Sequence, residues 1–208
     1  MRLRLLPVFV LAALAACDDA TAPGADRLTM DEITDLSVAM VEADFTLTGD
    51  LGAADQIGTA EVSTADAPIT ATTEFTHTRT CPAGGRIVVE GIRERTFDRE
   101  TRSGTMDFSL TKTHEDCART VRNVTITLNG APNVQVDAHH AWQNGAPVGL
   151  QTLSMVGAID WATDDGREGT CTIDIQATFD PELRTRTVVG QVCDRTFERK
   201  TTWRGRHR

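Results

Sequence analysis

The chain lacks the short sequence patterns that most enzymes and cofactor-binding proteins carry. It has no Gly-x-Ser-x-Gly nucleophile turn, no Walker loop, no dinucleotide fingerprint and no His-Glu-x-x-His zinc pattern. It also has no Cys-x-x-Cys pair, so the usual spacing of a structural metal site is missing. We therefore expect a protein that is not an enzyme and that holds no cofactor or metal.

Two further absences narrow the class of partner. No stretch after residue 16 is apolar for long enough to cross a bilayer, so no transmembrane helix is expected there. Positive charge is also scarce, because 21 Lys and Arg residues face 30 Asp and Glu residues and give a net charge of −9. A surface this acidic repels phosphate backbones, which excludes nucleic acid as an expected partner.

The first 20 residues give the clearest signal. Arg2 and Arg4 precede an apolar run over 5–16, which has the length of a signal-peptide core. This run ends in Leu14-Ala15-Ala16-Cys17, which resembles the lipobox of bacterial lipoproteins. The resemblance implies a lipoprotein signal peptide at 1–16, lipidation (palmitate among the acyl groups) of Cys17, and attachment to the bacterial cell envelope, facing the periplasm or the exterior.

A short segment then separates the anchor from the folded part. Residues 17–28 are rich in Ala, Thr, Pro, Gly and acidic residues and are expected to form a flexible tether. A single β-rich domain is expected over 29–208. Asp18 and Asp19 resemble the signal that keeps lipoproteins in the inner membrane of enteric bacteria, but the choice of membrane stays open.

Four cysteines remain once Cys17 is assigned to lipid, and an even number in an exported chain predicts disulfides with three possible pairings. A hairpin around 181–183 would place Cys171 opposite Cys193. A hairpin around 98–100 would likewise place Cys81 opposite Cys117. We therefore predict the pairs 81–117 and 171–193, with a structural role.

One helix is predicted, at about 30–43. Thr29 and Glu32 have the spacing of a capping box, in which each side chain satisfies a backbone N–H at the helix start. Apolar residues follow at helical spacing: Ile33, Leu36, Met40 and Val41. Phe45 and Leu47 are more typical of a short strand, followed by a loop.

From residue 69 onward the apolar residues alternate with Thr, Ser, Asp and Gln, which predicts strands buried on one face. Turn dipeptides divide the pattern into about eight strands, near 69–80, 85–98, 104–116, 121–129, 133–143, 148–161, 168–180 and 184–201. The expected fold is an all-β, antiparallel up-and-down meander. It forms either a β-barrel or a strongly curved sheet covered by the helix, and a two-sheet sandwich also stays open.

The expected function is binding or structural interaction with another envelope protein. The alternative is a β-barrel carrier of a small apolar ligand, held around Phe108, Trp142, Ile173 and Phe179. His139 and His140 are expected to point to opposite faces of a strand, so they do not predict a shared metal.

Overall fold

The computed structural model describes residues 27–54, 68–130 and 134–202, and this part of the chain forms one helix and ten strands. The helix, α1, spans Met30–Ala54. The strands, numbered β1 to β10 in chain order, span Ile69–Thr80, Gly84–Asp98, Ser103–Val121, Val124–Asn129, Val134–Gln143, Ala146–Pro147, Gln151–Thr163, Glu168–Asp180, Thr185–Val192 and Arg195–Thr202. The predicted all-β fold with one N-terminal helix is confirmed.

Helix α1 begins with the predicted capping box. The Thr29 N–H donates to Glu32 Oε2 at 2.7 Å, and the Glu32 N–H donates to Thr29 Oγ1 at 3.2 Å. Two N–H groups that lack partners within the helix are therefore satisfied. The apolar side chains that follow are buried against the sheet, as their spacing predicts: Ile33, Leu36, Met40 and Val41.

The helix is longer than the predicted 30–43, and no strand forms at 45–47. Thr46 and Thr48 alternate with apolar residues there, which resembles the period of a strand. In the structure both hydroxyls donate to carbonyl oxygens one helical turn earlier, at 2.8 and 2.9 Å. This local bonding lets threonine stay within a helix, and contacts with the sheet hold the added turns in place.

All ten strands belong to one antiparallel sheet with the order β1-β2-β3-β4-β7-β8-β9-β10, and β5 also lies between β3 and β7. Strand β4 pairs with the later part of β3 and β5 pairs with its earlier part. These two strands therefore share one position in the sheet and do not pair with each other, although consecutive strands of a meander are expected to pair. The reason is that the Gly130 N–H still donates to the His114 carbonyl at 2.8 Å, so the chain continues along β3.

The last predicted strand is divided in the structure. The expected strand 184–201 is two strands, β9 and β10, which pair as a hairpin. Cys193 and Asp194 form its turn with φ values of 52° and 61°, in the left-handed region that tight hairpin turns use.

The sheet is curved and open. Strands β1 and β10 lie at the two ends of the strand order, and no pairing joins them within the described residues. Helix α1 nevertheless contacts β3 as well as β9 and β10, which are far apart in that order. The sheet therefore curves around the helix. We call the side that faces α1 the concave face and the opposite side the convex face.

The two ends of the sheet are distinguished by their turns. The proximal end, where α1 begins, carries the turns at 81–83, 122–123, 164–167 and 193–194. The distal end carries those at 99–102, 144–145 and 181–184. No helix in the described ranges is both long and apolar enough to cross a membrane.

Both predicted disulfides are present, and both lie at the proximal end. The Cα atoms are 5.4 Å apart in Cys81–Cys117 and 4.3 Å apart in Cys171–Cys193. Neither joins directly opposed residues of neighbouring strands, so the predicted hairpin register is wrong at these positions. Cys193 lies in a turn, and Cys81 reaches β3 by passing the start of β2, which begins only at Gly84.

Candidate functional site

The concave face contains a buried ion pair between β3 and α1. Lys112 Nζ lies 2.7 Å from Asp44 Oδ1 and 2.8 Å from Asp44 Oδ2, and both side chains are at most 3% exposed. Burial raises the pKa of Asp44, while the Lys112 ammonium opposes that shift. The pair fixes the middle of α1 to the sheet, because removal of either partner would leave a buried charge without its counterion.

A second buried polar group, His114, follows on the same strand. Its side chain is almost completely buried, and its Nδ1 has no hydrogen-bond partner among the described residues. Burial, together with the nearby charges of Lys112 and Arg119, lowers the pKa of His114 to about 3. The imidazole is therefore neutral at physiological pH.

The adjacent histidines of β5 lie on opposite faces, as predicted. His140 Nε2 lies 2.9 Å from Thr48 Oγ1 of α1 on the concave face. Its ring makes edge contacts with Phe45 and Phe108, at centroid distances of 6.1 and 5.9 Å. Burial lowers the pKa of His140. This residue is a contact between helix and sheet.

On the convex face, His139 lies in a depression of about 500 Å³. His139 Nδ1 lies 2.6 Å from Asp107 Oδ1, and the carboxylates of Glu94 and Asp137 line the same depression. Hydroxyl groups of β3, β7 and β8 also line it: Ser109, Thr152, Ser154 and Thr178. Strand pairing brings these residues together, because Asp107, His139 and Thr152 are opposed across β3, β5 and β7.

The depression contains part of the arrangement that nucleophilic catalysis uses. A carboxylate that holds a histidine resembles two parts of a hydrolase site, but nucleophilic catalysis also needs a hydroxyl bonded to the second ring nitrogen. Among the described residues, no hydroxyl is hydrogen-bonded to His139. In the same part of the chain, no group of three or more His, Cys, Asp or Glu side chains is arranged to hold a metal ion.

At the proximal end, Arg167 connects a turn of the sheet to the start of α1. Its Nη2 lies 2.9 Å from Glu32 Oε1, and its Nη1 lies 3.0 Å from Glu32 Oε2. Hydrogen bonds from Arg167 lower the pKa of Glu32 to about 2. The sequence pattern predicted only the capping role of Glu32, because a cation 135 residues away in the chain gives no local signal.

The four residues predicted to surround an apolar ligand all lie on the concave face, but they do not form one site. Phe108 and Ile173 are buried in the core, and Trp142 and Phe179 are half-buried near the distal end. Ile173 and Phe179 are six residues apart on β8, a separation of about 20 Å along a strand. Trp142 packs against the backbone of Gly104, where an added Cβ would lie 2.5 Å from its ring.

The predicted lipidation site, Cys17, lies outside the described residues. No family model, curated protein or solved structure matches this chain.

Proposed function

We propose that this protein is a lipid-anchored module of the bacterial cell envelope that acts by binding, without catalysis, through the outer surface of its β-sheet. The anchor is the acylated Cys17 that the resemblance of Leu14-Ala15-Ala16-Cys17 to a lipobox implies. The two disulfides support export, because such bonds persist in oxidising compartments outside the cytoplasm.

The observation that carries the binding part of this proposal is the position of α1. The helix lies on the concave face, where Lys112 and His140 bond to it and its apolar side chains are buried. A carrier of apolar ligands would need that space. The convex face remains available, and its depression presents carboxylates, hydroxyls and an imidazole to a polar partner.

Membrane fractionation and intact-mass analysis in the native host test the anchor. We expect the wild-type protein in the membrane fraction, with a mass increase on Cys17 that corresponds to acyl chains. A Cys17→Ala variant should lack this mass and move to the soluble fraction. An unmodified sulfur on Cys17 in the native host would contradict the proposal.

Displacement of a hydrophobic fluorescent dye separates the binding module from the carrier. Because α1 covers the concave face, we expect no saturable dye binding, and native mass spectrometry should detect no retained lipid beyond the anchor. A stoichiometric dye site, weakened by Trp142→Ala, would favour the carrier. Glu94→Gln is the matched control on the convex face.

A further inference from the structure

Two arginines at the proximal end have no carboxylate in contact with them among the residues that the structure describes. Arg79 of β1 donates from Nη1 to the Ala43 carbonyl at 3.3 Å. Arg119 of β3 makes no side-chain hydrogen bond or ion pair with any described residue. Arg119 is half-buried, so its guanidinium is partly removed from water without a counterion in contact.

On the adjacent helix, the acidic side chains that the structure describes are already bound to other cations. Ion pairs of 2.7 to 3.1 Å join Lys112, Arg122, Arg167, Arg186 and Arg199 to the acidic residues Asp31, Glu32, Asp35, Glu42 and Asp44. Asp44 and Glu42 still attract Arg119 from a distance, whereas Arg79 repels it. Positive charge therefore exceeds negative charge around Arg79 and Arg119.

This arrangement lowers the stability of the folded protein when no anion is bound there. Burial lowers the pKa of Arg119, and the neighbouring Arg79 lowers it further. Lys112 and the neutral His114 face the same part of the helix interface, and neither supplies negative charge. A partly desolvated guanidinium beside another cation is stabilised when an anion binds next to it.

The structure provides room for an anion beside Arg119. A groove of about 390 Å³ runs between α1 and the proximal turns, with small apolar walls formed by Ala39, Pro82 and Ala83. Arg119 and Arg122 line the same groove. Asp35 also lines it, but its two oxygens are held by Arg122 and Arg199.

We propose that this groove binds a phosphate group, with the guanidinium of Arg119 as its main ligand and Arg79 beside it. The paired N–H groups of a guanidinium match two oxygens of a phosphate. A phosphate monoester carries between one and two negative charges at neutral pH, so a single group neutralises both arginines, whereas a carboxylate neutralises one. Inorganic phosphate carries a similar charge, whereas the phosphodiester of a phospholipid headgroup presents the same paired oxygens with one negative charge.

Calorimetric titration of the full chain with inorganic phosphate tests the site. We expect saturable binding that Arg119→Gln weakens by at least tenfold, roughly the effect of losing hydrogen bonds to a charged group. Arg99→Gln, in an exposed turn at the distal end, is the matched control and should bind like the wild type. Equal binding by wild type and Arg119→Gln would overturn the proposal.

Thermal unfolding shows whether Arg119 binds a ligand or instead stabilises the fold. Without phosphate, Arg119→Gln should unfold at the same temperature as the wild type or higher, because the variant removes a desolvated charge. Phosphate should raise the unfolding temperature of the wild type and leave that of the variant unchanged. A large loss of stability in Arg119→Gln without phosphate would indicate a structural role and contradict the proposal.

Vesicle sedimentation distinguishes the two sources of phosphate. The Cys17→Ala chain is used, so that an acyl anchor cannot cause binding, with phosphatidylglycerol in phosphatidylcholine compared with phosphatidylcholine alone. Binding to phosphatidylglycerol vesicles that requires Arg119 supports a headgroup ligand. Binding of inorganic phosphate alone supports a free phosphate. Binding to neither overturns the site and leaves the proposed anchor untouched.

Discussion

Each face of the sheet carries an ion pair and a histidine, but these groups are more deeply buried on the concave face than on the convex face. On the concave face, the Lys112–Asp44 pair is at most 3% exposed. On the convex face, the side chains of Arg86 and Glu115 also form an ion pair, but they are 58% and 42% exposed. Comparison of the two pairs shows that burial, rather than pairing itself, decides what each contributes to stability.

The largest expected effect comes from breaking the buried pair. Lys112→Met should lower the free energy of unfolding by about 3–5 kcal/mol, because it leaves the Asp44 carboxylate buried without its counterion. Arg86→Met on the convex face is the matched control, and its cost should stay below about 1 kcal/mol. Urea denaturation of both variants, followed by circular dichroism, measures the difference.

A double variant sharpens this test. Asp44→Leu combined with Lys112→Met removes both charges, so it should recover most of the stability lost in Lys112→Met. If the single variants at Lys112 and Arg86 lose equal stability, burial is not what separates the two pairs.

The next largest expected effect is a change of stability with pH, which arises from His114 on the concave face. His114 has a pKa of about 3 in the folded protein and an ordinary value of 6.5 in the unfolded chain. Between these values the unfolded chain binds more protons, so the free energy of unfolding falls as the pH drops from 6.5 towards 3. The loss contributed by His114 between pH 7 and pH 5 should be about 2 kcal/mol.

Replacement of His114 isolates that contribution. His114→Phe should flatten the stability curve between pH 7 and pH 5, leaving a smaller slope from His140, whose pKa burial also lowers. Denaturant titrations at several pH values measure the slopes. An unchanged slope in His114→Phe would show that this histidine does not titrate as the structure implies.

The smallest effect is expected from the neighbouring histidines of β5. His140→Leu removes the hydrogen bond to Thr48 on the concave face and should cost about 1 kcal/mol. His139→Leu removes the exposed contact with Asp107 and should change stability by less than about 0.5 kcal/mol. Thermal unfolding of the two variants measures both losses of stability. A larger loss in His139→Leu than in His140→Leu would contradict the prediction.

Much of the fold follows from local pattern. Alternation of apolar and polar residues predicted many of the strands, since the central strands of the curved sheet are buried on one face only. The spacing of Thr29 and Glu32 predicted where α1 begins. The end of α1 was missed, because Thr46 and Thr48 have low intrinsic helix propensity and contacts with distant strands hold them in the helix.

The contacts at the candidate sites were harder to predict from the sequence than the fold was. The opposite orientation of His139 and His140 follows from strand geometry. The contact of Lys112 with Asp44 spans 68 residues, and the isolation of Arg119 depends on which carboxylates other cations occupy. The disulfides were paired correctly although the predicted register was wrong, because Cys81 and Cys193 lie in turns where the chain departs from strand pairing.

The placement of both disulfides at the proximal end has a mechanical consequence. If the chain is held at Cys17, a pulling force reaches the domain near the start of α1, where the contacts of Arg167 with the Arg27 carbonyl and with Glu32 carry load first. The cross-linked turns beside it cannot separate, so the strands there resist being peeled apart. Force should therefore detach the helix from the sheet before it unravels any strand.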